Sequence, residues 1–418
     1  MRLAWALACL CAVGCDALWT SSLVPNPDRC EVGLVQCPAG LVCDSGSGRC
    51  TSPVNQATAA PRCGSPWRTG TDPASFQNLS LAVATGTGAD LASIATGDLD
   101  NDGQIDLAAV SLNTTLWSFR GSGSGQFAPL VMGSGGSSPR MIRLVDFNGD
   151  QHADYLLSNR TAKEIRCTLA AADGQLLSTS TGAISGLPGA FVVGDFNADG
   201  APDVMTTQQG ASDLAVLYGN GQGELATAVN LASTRPATVL AAGDFNEDGT
   251  LDLATLNTGD VQLQVYSNRG SSSFMRQDIS LAGELYAYWL TVADFDCDGH
   301  LDLAVATTGK NRIVVLYGDG GGRFPNSVSV NLSAEPRELQ AADLDGDGLT
   351  DLVYYDQYGD LFVLPAAANR QFPTAPQAIA GPKASASLQV ADVNLDGRAD
   401  LLMVHQYLSV MTLLNTTR

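Results

Sequence analysis

Between residues 91 and 134 the chain passes through four short apolar stretches: Leu91 to Thr96, Ile105 to Val110, Leu116 to Phe119, and one opening at Phe127. Gly, Asn, Asp and Ser separate them. Small, β-branched and apolar residues alternate within the stretches, and no segment carries a helical period, so they predict β-strands joined by tight turns. The same texture returns along the rest of the chain. An apolar stretch leads into an aspartate-rich loop, a second follows directly, a third ends in Gly or Ser, and a fourth opens on Phe or Leu.

The loops set the period. The pattern Asp-x-Asp/Asn-x-Asp-x-x-x-Asp occurs seven times, starting at Asp98, Asp146, Asp195, Asp244, Asp294, Asp343 and Asp392, at intervals of 48, 49, 49, 50, 49 and 49 residues. Each interval holds four short strands and their turns, as in a propeller blade. Four positions before each loop stands an apolar residue, namely Ile94, Ile142, Phe191, Leu240, Leu290, Leu339 and Leu388. This column is expected to pack between neighbouring units. The last unit stops after a third strand, Leu408 to Leu414, whereas Phe76 to Leu81, ahead of the first unit, matches the fourth-strand opening seen at Phe324. An N-terminal strand that completes the seventh unit would close the ring and leave no unpaired edge. Residues 76–418 number 343, or seven times 49. The predicted fold is all-β, a seven-bladed β-propeller over 76–418 preceded by a small disulfide-rich module.

These units resemble FG-GAP and VCBS repeats, the blades of integrin α-subunit propellers and of many bacterial surface proteins. The resemblance covers about four fifths of the chain, and the aspartate loops at this spacing are its specific part. Gly125-Gln126-Phe127-Ala128-Pro129 is a faint echo of the family's name motif. The resemblance implies a binding or adhesion role.

The residues of the loops point to calcium. This hard cation takes six to eight oxygens, and a nine-residue loop with acidic or amide side chains at positions 1, 3, 5 and 9, plus a backbone carbonyl at position 7, supplies them compactly. In the first loop the set is Asp98, Asp100, Asp102, Gln104 and Asp106; in the second, Asp146, Asn148, Asp150, His152 and Asp154. The third offers Asp195, Asn197, Asp199, Ala201 and Asp203, and the fourth Asp244, Asn246, Asp248, Thr250 and Asp252. Asp294, Asp296, Asp298, His300 and Asp302 form the fifth set, and Asp343, Asp345, Asp347, Leu349 and Asp351 the sixth. The seventh is Asp392, Asn394, Asp396, Arg398 and Asp400. Up to seven ions, one per blade, are expected. Gln151 stands at position 6 of the second loop, where every other loop has glycine. A left-handed turn there costs a side chain about 1 kcal/mol, so this site is expected to be the weakest. Aspartate, asparagine and glycine also make ordinary solvated turns. Such a turn has no need of four oxygens at fixed places, and seven in register would be self-repelling without cations.

Charge agrees. The ligand positions hold 24 aspartates, against a formal net charge of −21 for the whole chain. Seven divalent ions would leave about −7, so the acidity belongs to the loops, and no basic face remains to pair with a nucleic acid.

The N-terminus carries an export signal. Met1 and Arg2 precede the apolar run Leu3 to Val13, too short to span a bilayer, and the run ends at Ala12-Val13-Gly14-Cys15. That ending resembles the lipobox of bacterial lipoproteins. The resemblance implies a signal peptide over 1–14, lipidation of Cys15 and anchoring to a bacterial membrane, at the outer membrane or cell surface, with Asp16 leaving inner-membrane retention open. Residues 15–29 then read as a linker. Cys30, Cys37, Cys43, Cys50 and Cys63 lack the paired CxxC of zinc knuckles and fit a disulfide-stapled module over 30–63, followed by a linker over 64–75. Cys167 and Cys297 lie far from it. Seven cysteines remain after Cys15, so at least one is left unpaired or bonds between chains.

No G-x-S-x-G elbow, HExxH pair or phosphate-cradling loop is present; Gly121-Ser122-Gly123-Ser124-Gly125 reads as a strand-connecting turn. Of the three histidines, His152 and His300 sit at position 7 of loops and His405 on a strand of the last blade. Only Trp117 and Trp289 fall inside the propeller, which disfavours a sevenfold sugar lectin. The segments entering each first strand, opposite the calcium loops, vary most and include Arg140, Met141, Arg235, Tyr286, Tyr288, Trp289 and Arg337. Arginine and aromatic residues are enriched at interaction hot spots, so this is the candidate partner face, although Trp289 would also fit as a plug at the channel mouth. The favoured reading is a calcium-binding, non-enzymatic interaction protein with a protein or glycan partner at the cell envelope. The alternatives are a polysaccharide-processing enzyme or its accessory subunit, and a purely structural envelope component.

Overall fold

A computed structural model describes residues 42–44, 49–51, 74–79 and 90–417, except 212, 234–235, 258–261, 271–272, 282–285, 368–371 and 373–375. The described residues form strands, turns and bends, with no helix among them. Seven four-stranded antiparallel sheets follow one another around a ring. In the first blade the strands are Leu91–Gly97, Asp106–Ser111, Thr115–Gly121 and Phe127–Ser134, within a residue or two of the apolar stretches in the sequence. The first strand of each blade is innermost and the fourth outermost, and the aspartate loop joins the first strand to the second.

The ring closes as expected. Phe76–Leu79 pairs antiparallel with Ser409–Asn415, Phe76 opposite Asn415 and Leu79 opposite Thr412, and so becomes the fourth strand of the seventh blade. Both ends of the propeller thereby share one sheet, and no blade is left incomplete.

Between blades lie seven separate hydrophobic clusters, one per seam. The column four positions before the loops supplies each cluster with one residue pointing back at the preceding blade. Ile94 packs with Leu402 and Val404 of the seventh blade, and Ile142 with Ala108, Val110 and Leu116 of the first. A second column lies at position 2 of the loops: Leu99, Phe147, Phe196, Phe245, Phe295, Leu344 and Val393, all buried, each in the cluster shared with the following blade. Every loop therefore carries its own anchor in the forward seam.

Cys15, the signal segment and the linkers lie outside the described residues. Of the expected Cys-rich module only a hairpin is described, Val42–Asp44 against Arg49–Thr51, with Cys43 in register with Cys50; the disulfide pairing expected there falls outside what is described. Cys167 is a free, buried thiol in the seam between the second and third blades.

Replacing Ile142, fully buried at the first seam, by alanine is expected to cost about 2–4 kcal/mol through lost burial and the cavity left behind. Equilibrium denaturation of the purified protein checks this. A loss below 0.5 kcal/mol would mean that the seams do not carry the fold.

Candidate metal centres

Each loop begins where an inner strand ends, and its backbone is wound around its own carboxylates. The first aspartate accepts the amide of the sixth residue through Oδ2, at 2.8–3.0 Å in all seven loops. The fifth accepts the amide of the seventh at 2.8–3.0 Å. These bonds turn the side chains at positions 1 and 5 inward over one small space.

The sixth residue takes a left-handed φ of 81 to 91° at the six glycines and 73° at Gln151. The second loop thus makes the turn expected of it and bears the strain of a side chain there. Position 4 is left-handed too, in every loop: Asn101, Gly149, Ala198, Glu247, Cys297, Gly346 and Leu395. Only the second and sixth loops place glycine at it, so the sixth, with glycine at both positions, is the least strained.

The ninth aspartate has a different task. Asp106, Asp154, Asp203, Asp252, Asp302, Asp351 and Asp400 are all fully buried. Oδ2 accepts the amide of the second loop residue at 2.8–3.1 Å. Oδ1 accepts an amide at or just beyond the end of the third strand, at 2.7–2.9 Å: Gly121, Ala170, Gly219, Asn268, Gly318, Ala366 or Asn415. Burial raises the carboxyl of Asp106 to about 6, those of Asp154, Asp203, Asp252 and Asp400 to about 7, and that of Asp302 to about 8, against the pull of these amides.

The third position divides the loops. With aspartate there, the carboxylates converge: oxygens of Asp98, Asp100 and Asp106, of Asp294, Asp296 and Asp302, and of Asp343, Asp345 and Asp347 lie within 4.8 Å of one another. Arg120 pairs with Asp100 in the first of these. In three of the four loops with asparagine there, the side-chain amide donates to the fifth aspartate instead, at 2.9 Å from Asn148, 2.8 Å from Asn197 and 3.2 Å from Asn394. The donor set, hard oxygens crowded at a loop with little counter-charge, fits a calcium-type cation best in the first, fifth and sixth loops.

Adjacent loops are tied together. Gly125 donates to the Val393 carbonyl, Gly322 to that of Phe245, Asn268 Nδ2 to that of Phe196 and Asn415 Nδ2 to that of Leu344. In each case the segment that follows a third strand grips position 2 of the preceding loop. Gly121 to Gly125 is accordingly a turn, and Ser122 bonds Gln126 across it. His300 of the fifth loop meets Glu247 of the fourth at 2.7 Å, which raises the histidine's pKa.

This repeat is shared. An FG-GAP-like repeat model matches residues 98–157, 195–255, 244–305, 294–354 and 343–403, together more than half of the chain, and each match starts at the first aspartate of a loop. The chain belongs to the FG-GAP-like repeat family. Among curated proteins no sequence match is found. The propeller fold nevertheless has solved counterparts. One is BBS1N, solved in complex with ARL6DN (12% identity, 82% of this chain and 96% of that one, TM-score 0.58). An Agrocybe aegerita lectin that recognises non-reducing terminal N-acetylglucosamine is another (16%, 69% and 80%, 0.51). The periplasmic gluconolactonase of Pseudomonas aeruginosa is a third (16%, 68% and 84%, 0.53). At these identities the likeness is one of fold.

On the opposite side of the FG-GAP ring, Arg140, Met141, Tyr288 and Trp289 line the mouth of the central channel. Arg337 lies over the ring of Tyr288, 4.8 Å from its centroid, and Tyr286 is exposed. Arg235 is outside the described residues. Sequence reasoning passed over the position-2 column, the left-handed fourth position and the structural task of the ninth aspartate. The first had a signal, an apolar residue in all seven loops.

Asp252→Asn sets an amide nitrogen against a backbone N–H and is expected to cost about 2–3 kcal/mol. The loss should persist in chelator, as a purely metal-dependent role would not allow. In chelator, Gln151→Gly should stabilise by about 1 kcal/mol and Gly200→Ala, at φ 88° in open space, should destabilise by as much. Denaturant midpoints check all three; no gain from Gln151→Gly would remove the strain argument.

Proposed function

We propose that this FG-GAP propeller is a calcium-binding, lipid-anchored extracytoplasmic protein that binds a protein or glycan partner at the cell envelope, with calcium rigidifying the ring. The observation that carries the reading is the convergence of three carboxylates within 4.8 Å in each of three loops, at equivalent places of a sevenfold frame. Carboxylates so close repel one another unless a cation sits among them. Asp98 to Asp106, Asp294 to Asp302 and Asp343 to Asp351 would hold the tightest ions, and the second loop the weakest.

Binding rather than catalysis is favoured by where the histidines are spent. His300 bridges two loops, and His405 Nδ1 lies 2.7 Å from the Lys383 carbonyl at the seventh blade. Export and a lipid anchor at Cys15 follow the lipobox resemblance and place the ring in a compartment where calcium is available.

Titrating calcium into the chelated protein while following thermal unfolding and counting retained ions by mass spectrometry tests the proposal. A large saturable stabilisation with close to seven ions is expected. Its pH dependence has a definite sign. The ninth aspartates rise from an ordinary 3.8 to about 7 in the fold. Their contribution to metal-free stability is therefore complete below about 3.8 and is lost as pH rises through about 7. Metal-free protein should melt lower at pH 8 than at pH 5, and calcium should recover more at pH 8, where it meets ionised ligands. A melting point indifferent to calcium at both pH values would show the loops to be plain turns.

A further inference from the structure

The starts of the first strands and the turns after the second strands, drawn from all seven blades, enclose a cavity of about 410 Å³ at the channel mouth away from the aspartate loops. Its wall is chemically two-sided. The second blade contributes Arg140, Arg143 and Arg160. Facing them are Tyr288 and Trp289 of the fifth blade and Tyr407 of the seventh, with Tyr355 of the sixth between. In a chain with 22 basic against 43 acidic residues, three arginines in one cavity form a positive island. Among the described residues no carboxylate lies at ion-pair distance from any of them. Arg143 donates to the carbonyl of Ile142 at 3.1 Å and Arg160 to the side chain of Gln209.

The one carboxyl in the wall is Glu338, buried and raised by that burial to about 7; it and Arg143 favour each other's charge, so among the described residues Arg143 has an acidic neighbour whereas Arg140 and Arg160 have none. Burial, and then the neighbouring Arg160, disfavour the charge on Arg140, the condition of a guanidinium that lacks an anion. The opposite arc is held rigid. Arg337 covers one face of Tyr288 and is itself paired with Glu335 at 3.3 Å. Gln209, Ser387 and Gln389 add hydrogen-bonding groups. A cavity of this volume is in the range of small-molecule sites.

We propose that the channel mouth binds an acidic saccharide, a hexuronate unit whose carboxylate is held by Arg140, Arg143 and Arg160 and whose ring lies against Tyr288 and Trp289. Guanidinium groups take a carboxylate in bidentate fashion, and an aromatic face takes the apolar C–H face of a sugar. A neutral sugar would leave the Arg140 and Arg160 guanidinium groups without an anion; a simple carboxylate would leave the aromatic arc empty. The inference rests on the reading of the protein as an envelope binding protein and names the chemistry of its ligand.

Calorimetric titration of the calcium-saturated protein with digalacturonate and with D-glucuronate, against D-galactose and acetate, tests it. Saturable binding of a uronate at one site is expected, with galactose and acetate at least about tenfold weaker. The double substitution Arg140→Gln with Arg160→Gln, and separately Tyr288→Ala, should each weaken uronate binding at least about tenfold at unchanged melting point and calcium stoichiometry. Equal binding of galactose would remove the arginines' role, and equal binding of acetate that of the aromatic arc; either overturns the proposal. Absence of uronate binding in a protein that still responds to calcium overturns this inference alone, whereas absence of the calcium response overturns the preceding reading and leaves this one to stand on the titration.

Discussion

The ninth aspartate of each loop is a buried carboxylate that holds two backbone amides from different parts of its blade, and the geometry of the ring hangs on it. One oxygen binds the amide of the second loop residue, the other an amide at the end of the third strand. The loop, the second strand and the third strand are thereby fixed to one point. A carboxylate can do this because it accepts two amides at once, and its burial is tolerable because both oxygens are satisfied. An asparagine in its place would have to set its NH2 group against one of these amides. The position is therefore structural before it is anything else, and a cation bound by the loop would meet a frame already tied at its back.

From that point the construction runs outward in two directions. Along the blade, position 2 of the loop carries an apolar side chain into the seam with the next blade, and in four of the loops its carbonyl also accepts from the turn or asparagine of that neighbour, as Phe245 does from Gly322 and Leu344 from Asn415. Around the ring, the column before the loops fills the same seams from the other side. Hydrophobic burial is non-directional and fixes only that blades pack. The polar ties at the loop end fix at what rotation they pack. The strand from Phe76 supplies the last pairing, so a single sheet joins the two ends of the propeller, more than 300 residues apart in the chain.

The two ends of the propeller consequently carry opposite chemistry. At the loop end, 24 aspartates occupy positions 1, 3, 5 and 9 of the loops; at the other, three arginines face an aromatic arc in a cavity. The loop end is repetitive, because each blade must make the same tie. The channel mouth is not: Ser93, Met141 and Ser387 there accept amides of neighbouring inner strands, but the other lining residues differ from blade to blade. Variation of that kind is where a binding specificity can reside.

The sequence by itself determined the repeat, the strands, the loops, the inter-blade column and the closing strand, because each is a short-range pattern copied seven times, and copies in register expose what a single instance would hide. Gln151 stood out for the same reason, and the left-handed turn at it was legible from glycine at the equivalent positions. Only the tertiary structure decided the rest. Which carboxylates converge, those at positions 1, 3 and 9 in the first and fifth loops but 1, 3 and 5 in the sixth, depends on side-chain rotation within the loop, not on spacing. The left-handed fourth position is occupied by residues as different as Glu247 and Leu395, so composition gives no signal of it. Arg140, Tyr288 and Tyr407 are far apart in the chain and meet only because the ring brings the starts of its inner strands and the turns beyond them to a common mouth. No local pattern encodes that meeting; it is a property of closure.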